Sequence, residues 1–254
     1  MIIIKTKEEI EKLREGGRVT ARILKDVASR AVVGVTTKEL DTFVHRRIIE
    51  EGYYPAFLNY KPEGARKPFP ASICISVNAE VVHGIPGGRV LKEGDVVSLD
   101  LGLKYEGVYL DHAVTVAVGA ISKETKALLR STQEALYAGI EEARVGARIG
   151  DISAAIEKIG KNGRYGIVKG LSGHGVGRYI HEDPYIPNYG KAGKGEVIKA
   201  GMVFAIEPMF TLGSDAVVEL SDGYTIRTGD GSRAAHFEHT VLITDQGPEI
   251  LTVV

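Results

Sequence analysis

Three strand-forming runs in this chain each carry a carboxylate. They are Val96-Val-Ser-Leu-Asp100-Leu-Gly-Leu103, Met202-Val-Phe-Ala-Ile-Glu207-Pro208 and Phe237-Glu238-His-Thr-Val-Leu-Ile243. A carboxylate inside such a run is costly unless it is paired or bound to a cation, so the fold has to supply each with a partner. In the first run Val97, Leu99, Leu101 and Leu103 share one face, and Ser98, Asp100 and Gly102 the other. Asp111 follows on the next strand. A two-residue turn at Glu106-Gly107 makes Asp100 and Asp111 diagonal neighbours, and a four-residue turn sets them directly opposite. Both registers put the carboxylates on one face, where like charges repel and a cation between them offsets the repulsion. The plainer alternative makes Asp111 a solvated edge residue and Asp100 an accident of a turn end.

Glu207 closes an apolar run, and Glu238 sits within a strongly β-forming one. An ion pair with Arg227 or Arg233 is the ordinary explanation for either. His174 lies between glycines in Ser172-Gly-His-Gly-Val-Gly177, read as a turn, and His181-Glu-Asp-Pro184 follows seven residues on. A nucleotide-binding loop is a weak reading of those glycines, because no clear strand precedes them and no acidic partner stands at the required distance. Together the segments offer four carboxylates and one imidazole. That donor set suits hard or borderline divalent ions, and a shared carboxylate cage suits two of them.

Composition narrows the classes of function. The 32 Lys and Arg balance 33 Asp and Glu, a net charge of -1 that marks no DNA-binding or membrane-binding surface. Cys74 is the only cysteine, so an internal disulfide and a cysteine-rich zinc site are excluded and a reducing compartment fits. The start, Met1-Ile-Ile-Ile-Lys-Thr, is too short an apolar run for a signal peptide, and no stretch is long enough to span a bilayer. A cytoplasmic location is the default expectation.

Along the chain, Thr6 with Glu9 and Thr36 with Glu39 spell capping boxes before two amphipathic helices, the second ending near Gly52. Four prolines between Pro55 and Pro70, with Lys61, Arg66 and Lys67, predict a long irregular loop of the kind that serves as a lid. Strands are predicted at 73–77, 96–104, 109–118, 202–212, 223–228, 234–244 and 249–253, with helices at 123–143 and 149–160. Two helices and a group of strands thus occur twice, an order that implies a duplicated α+β unit without a residue-level repeat.

These residues resemble a known family, the type I methionine aminopeptidases with the pita-bread fold. The marks are Asn78-Ala-Glu-Val-Val-His83-Gly-Ile-Pro86, Asp100-Leu-Gly, Asp111, Gly173-His174-Gly, His181-Glu-Asp-Pro, Ile206-Glu207-Pro208 and Phe237-Glu238-His239-Thr240. They cover essentially the whole chain. The resemblance implies an α+β fold with two pseudo-twofold halves around a curved antiparallel sheet, in a single catalytic domain over residues 1–254. It implies that Asp111 and Glu238 bridge two divalent ions (Co, Mn, Fe or Zn). Asp100 would complete one metal, and His174 and Glu207 the other. A metal-bound water would attack the carbonyl of the first residue, with Glu207 as proton shuttle. His181 would stabilise the oxyanion and His83 would bond the peptide main chain. Tyr60, Phe69, Cys74, Ile180 and Tyr224 would line a methionine pocket, with Ile180 and Tyr224 smaller than the common pattern.

The partners so implied are nascent polypeptide N-termini, with transient ribosome contact an option, no DNA or membrane partner, and a monomeric state. The stretch from Lys61 to Pro68 is longer than in compact bacterial members. It reads first as a solvated insertion and second as a mobile basic flap. His112 has no assigned role. Xaa-Pro aminopeptidases and prolidases share the five ligands, but they usually carry a further N-terminal domain, Glu-Pro-Gly and Glu-Asp. Here Met209 follows Pro208, and His239 follows Glu238. A non-catalytic pita-bread binding protein would lack ligands that this chain has. Type I fits better than type II, since no long insertion separates His181 from Glu238.

Overall fold

The computed structural model describes residues 2–254, so Met1 of the N-terminal apolar run lies outside the described residues. Helices α1 (Lys7–Ala28) and α2 (Thr37–Glu50) begin where their capping boxes place them. The Glu9 and Glu39 carboxylates each accept from the N–H of the cap residue at 2.7 Å, and the Thr6 and Thr36 hydroxyls accept in return. Helices α3 (Lys123–Glu142) and α4 (Ile149–Gly163) open the second half. The last runs past its predicted end at Gly160, until Arg164 turns left-handed with φ 57°.

Strands Val96–Tyr105 and Val108–Ala117 form one long hairpin around Glu106-Gly107, whose φ angles of 42° and 88° are those of a primed two-residue turn. The turn settles the register: Gly102 faces Asp111 and Asp100 faces Ala113, so the two aspartates are diagonal neighbours. Cys74–Val77 pairs with the other edge of the hairpin. In the second half Gly247–Ile250, His239–Thr244, Val203–Ile206, Ser172–Gly175 and Glu182–Pro187 form, in that order, a five-stranded antiparallel sheet.

Each sheet turns its apolar face to its own helix pair. Val97, Leu99, Leu101 and Leu103 pack with Val19, Ile23 and Val27 of α1 and Leu40, Val44 and Ile48 of α2. Phe204, Ile206, Val241 and Ile243 pack with Leu136 and Ile140 of α3 and Ile152 and Ile156 of α4. The polar faces are left to meet at the seam between the halves. There Glu238 N–H donates to Ala113 O at 2.9 Å, and the Thr240 hydroxyl accepts from Asp111 N–H at 3.0 Å and donates to Asp111 O at 2.7 Å.

Two predicted strands are each two strands. The 202–212 run divides into Val203–Ile206 and Met209–Thr211, and the 234–244 run into Ala234–His236 and His239–Thr244. Met209–Thr211 and Ala234–His236 pair with each other in a separate three-stranded sheet. The breaks fall at Glu207-Pro208 and Phe237-Glu238. Pro208 has no N–H to give a ladder, and the chain uses that corner to cross between sheets. Glu207 and Glu238 therefore both stand at corners.

Helix α1 lies so close to the C-terminal segment that a Cβ at Gly17 would collide with the Leu251 carbonyl oxygen. Gly17→Ala should therefore destabilise the protein by about 1–3 kcal/mol despite alanine's better helix propensity. A thermal melt checks this: a raised melting temperature would show that the helix can shift freely. No helix among the described residues is long and apolar enough to cross a membrane.

Candidate metal centre

Asp100, Asp111, His174, Glu207 and Glu238 are all buried, and the fold brings them together at the seam. The hairpin supplies the two aspartates, and the second half supplies the rest. One ligand atom each of Asp111, His174 and Glu238 lie within 4.8 Å of one another. Asp100 makes side-chain contact with Asp111, and Glu207 Oε1 lies 3.5 Å from His174 Nε2.

His174 stands on a strand, not in a turn. Ser172–Gly175 pairs on both sides, with Glu182–Pro187 and Val203–Ile206. Its glycines permit that close pairing, since a Cβ at Gly173 would press on Ala205 O and one at Gly175 on Asp183 O. The His174 Nδ1 lies 2.9 Å from Gly175 O, which fixes the proton there and leaves Nε2 free to bind a metal. Burial holds this imidazole neutral, lowering its pKa to about 3.

Burial also drives the carboxyls upward. Asp100 is raised to about 6, and Asp111, Glu207 and Glu238 rise as well, first from desolvation. Asp100 Oδ1 and Glu238 Oε1 are buried without a hydrogen-bond partner. The ion-pair explanation fails: Arg233 donates to Thr125 Oγ1 and Gly94 O, and Arg227 to Thr228 O. Crowded buried carboxylates, orphaned oxygens and a neutral imidazole fit divalent cations.

Beside this cluster lies a chamber of about 110 Å³ bordered by Phe57, Tyr60, Phe69, Cys74 and Tyr224, with an outer cleft of about 600 Å³ in front of it. His83, His174, His181 and Glu207 border both. Ile180 is buried in the same apolar cluster but does not border the chamber, whereas Phe57, from the proline-rich loop, does. Phe57 escapes sequence reading because only the fold of that loop carries it inward. His181 Nδ1 is 3.0 Å from the Tyr60 hydroxyl, and its ring packs edge-on against His174 at 4.6 Å. The loop bearing His181 is pinned by the next residue: Glu182 accepts from Arg178 and Tyr179 N–H and pairs with buried Lys5 at 2.6 Å. His83 adopts φ 59°, and burial lowers its pKa to about 4.

Lys61 to Pro68 forms an irregular loop, with Pro62 and Glu63 on the outer cleft and the Tyr224 hydroxyl donating to Lys67 O. His112, on the hairpin strand with Asp111, holds its Nδ1 2.5 Å from Glu238 O and stacks on His239 at 4.6 Å, so it braces the seam. His236 escapes sequence reading altogether. Its Nε2 lies 3.2 Å from Glu207 Oε2, and the signal for it is alternation, which puts His236 and Glu238 two apart on one face.

Residues 11–245 match the model of metallopeptidase family M24. The methionine aminopeptidase 1 of Bacillus subtilis is 47% identical over 252 residues, 99% of each chain. The crystal structure of methionine aminopeptidase from Thermotoga maritima superposes with a TM-score of 0.96 at 44% identity, covering 100% of both chains. The prolidase from Pyrococcus furiosus gives a TM-score of 0.76 at 26% identity, and the match covers 66% of that chain. The chain belongs to metallopeptidase family M24 and, within it, to the methionine aminopeptidases, with their pita-bread fold.

Proposed function

We propose that this chain removes the N-terminal methionine from nascent polypeptides whose second residue is small, by hydrolysis at a two-metal site. One observation carries this reading: the apolar chamber of Phe57, Phe69, Cys74 and Tyr224 ends on the cluster of Asp111, His174 and Glu238. Asp111 and Glu238 would be shared between two cations, Asp100 would complete one, and His174 and Glu207 the other. Two divalent cations there supply Lewis acidity and a water acidic enough to ionise near neutral pH.

The residues do the rest. The chamber, with Tyr60 and Tyr224 at its border, receives the methionine side chain and sets the first carbonyl beside the carboxylates. Glu207, on the border of chamber and cleft, takes the proton of the attacking nucleophile and passes it to the leaving amine. His181 donates a hydrogen bond to the developing oxyanion, with Tyr60 holding its Nδ1. His83, on the border of chamber and cleft, bonds the peptide main chain beyond the scissile bond. Co, Mn, Fe and Zn all suit the donors. The unit proposed is one catalytic domain over the full chain, acting as a cytoplasmic monomer with at most transient ribosome contact.

The test incubates metal-stripped protein with Met-Ala-Ser and Ala-Pro-type peptides while each of the four metals is titrated. Methionine release from Met-Ala-Ser is the expected result. No release with any metal, or a preference for Xaa-Pro bonds, overturns the reading.

A further inference from the structure

His236 is 1% exposed, and neither ring nitrogen has a hydrogen-bond partner that meets full geometry, yet Nε2 lies 3.2 Å from Glu207 Oε2. The main chain at His236 is fixed. Its backbone N–H donates to Thr115 Oγ1 at 2.9 Å, and the Thr115 hydroxyl donates to its carbonyl at 2.6 Å. Thr115 is in turn 2.8 Å from Ser98 Oγ across the hairpin. Cross-strand pairing with Met209 sets His236 beside the corner that carries Glu207.

Two roles are open to such an imidazole, metal ligand or hydrogen-bond donor, and the two histidines of the site differ in the feature that separates them. A ligating histidine hands its far N–H to a carbonyl or carboxylate. His174 does so through Nδ1 and Gly175 O, whereas His236 Nδ1 faces no such acceptor. A ligating His236 would bury an orphaned N–H. With the proton on Nε2, it buries only an unshared acceptor, the less costly state.

The Glu207 carboxylate, for its part, has few donors to choose from. Asn188 Nδ2 donates to the Glu207 main-chain oxygen at 3.0 Å and so leaves the carboxylate alone. His174 Nε2, at 3.5 Å from Oε1, has its lone pair committed once it binds a metal.

We propose that His236 is a positioning residue: its Nε2–H donates to Glu207 Oε2 and fixes the carboxylate rotation, so that Oε1 is presented to the metal pocket beside His174. The proposal rests on the metallopeptidase reading of the site. It deepens that reading by naming what keeps the proton shuttle aimed. The 3.2 Å separation is within hydrogen-bond reach but the N–H is turned off the line to Oε2, and a small rotation of the ring or carboxylate aligns it with a charged acceptor, which strengthens the bond so formed.

The experiment compares His236→Leu, which keeps bulk and loses the donor, with His236→Gln, which keeps an N–H at similar reach. Cobalt titration followed by visible absorption reads metal binding, and Met-Ala-Ser hydrolysis reads kcat and KM separately. His236→Leu is expected to weaken cobalt binding or lower kcat about 10- to 100-fold, with KM little changed and an altered cobalt spectrum. His236→Gln is expected to restore both. If His236→Leu does not fold, His236→Asn takes its place, because its shorter amide falls short of Oε2 and should show the same loss.

Wild-type behaviour in the donorless variant overturns the proposal. So does a Gln variant as impaired as the Leu variant. Loss of one cobalt equivalent in both variants would make His236 a ligand and overturn it too. Failure of the wild type to release methionine refutes the activity instead, and the cobalt spectra still decide the role of His236.

Discussion

Glu207→Gln is expected to lower methionine release at saturating metal by about 100- to 10,000-fold, the usual contribution of a positioned acid–base group. Glutamine keeps the volume and one carbonyl oxygen for a metal, but it cannot accept a proton near neutral pH. The wild-type carboxylate is suited to the task by its place, buried at the corner beside His174 and His236 on the border of chamber and cleft. Single-turnover kinetics with cobalt loading confirmed by absorption give the measurement. Undiminished turnover would reject the shuttle and leave Glu207 as a ligand alone.

Removing metal should cost stability, and the cost should grow with pH. Asp100 has a pKa of about 6 in the folded chain against its ordinary value of 3.8. Between those values the folded state holds a proton that the unfolded state has lost. The group's contribution to stability is therefore present below its unfolded pKa and is lost as pH rises through its folded one. Asp111, Glu207 and Glu238 shift the same way. Cations reverse this penalty, because they bind the ionised carboxylates of the folded state.

Cobalt at about 100 times its dissociation constant should add about 2.7 kcal/mol, or about 5–10 °C in melting temperature. The gap between metal-loaded and stripped melts should widen from about pH 4 to about pH 6, the span of the Asp100 shift, and further as the other three carboxyls ionise. A gap that stays constant or narrows would show that these carboxyls do not face the metal.

What the sequence made legible was local. The capping boxes at Thr6 and Thr36 and the pleat of the hairpin depend on residues a few positions apart, and each formed as read. Even the choice between hairpin registers lay in the turn, since Glu106-Gly107 suits positive φ. What stayed hidden was long-range. His174 reads as a turn residue until Ala205 and Tyr185 are known to pair with it. The runs through Glu207 and Glu238 read as single strands because apolar pattern does not record which sheet a residue joins. Phe57 and His236 reach the site only through contacts with distant segments, Gly102 and Thr115.

The seam also makes the site a gauge of assembly. Cut in the loop before α3, the N-terminal piece keeps Asp100 and Asp111, and the C-terminal piece keeps His174, Glu207 and Glu238. Neither piece holds the trio that clusters within 4.8 Å. High-affinity cobalt colour would then return only when the two fragments dock along the Asp111–Thr240 and Ala113–Glu238 contacts. A split version of this chain would act as a chromogenic reporter of its own complementation.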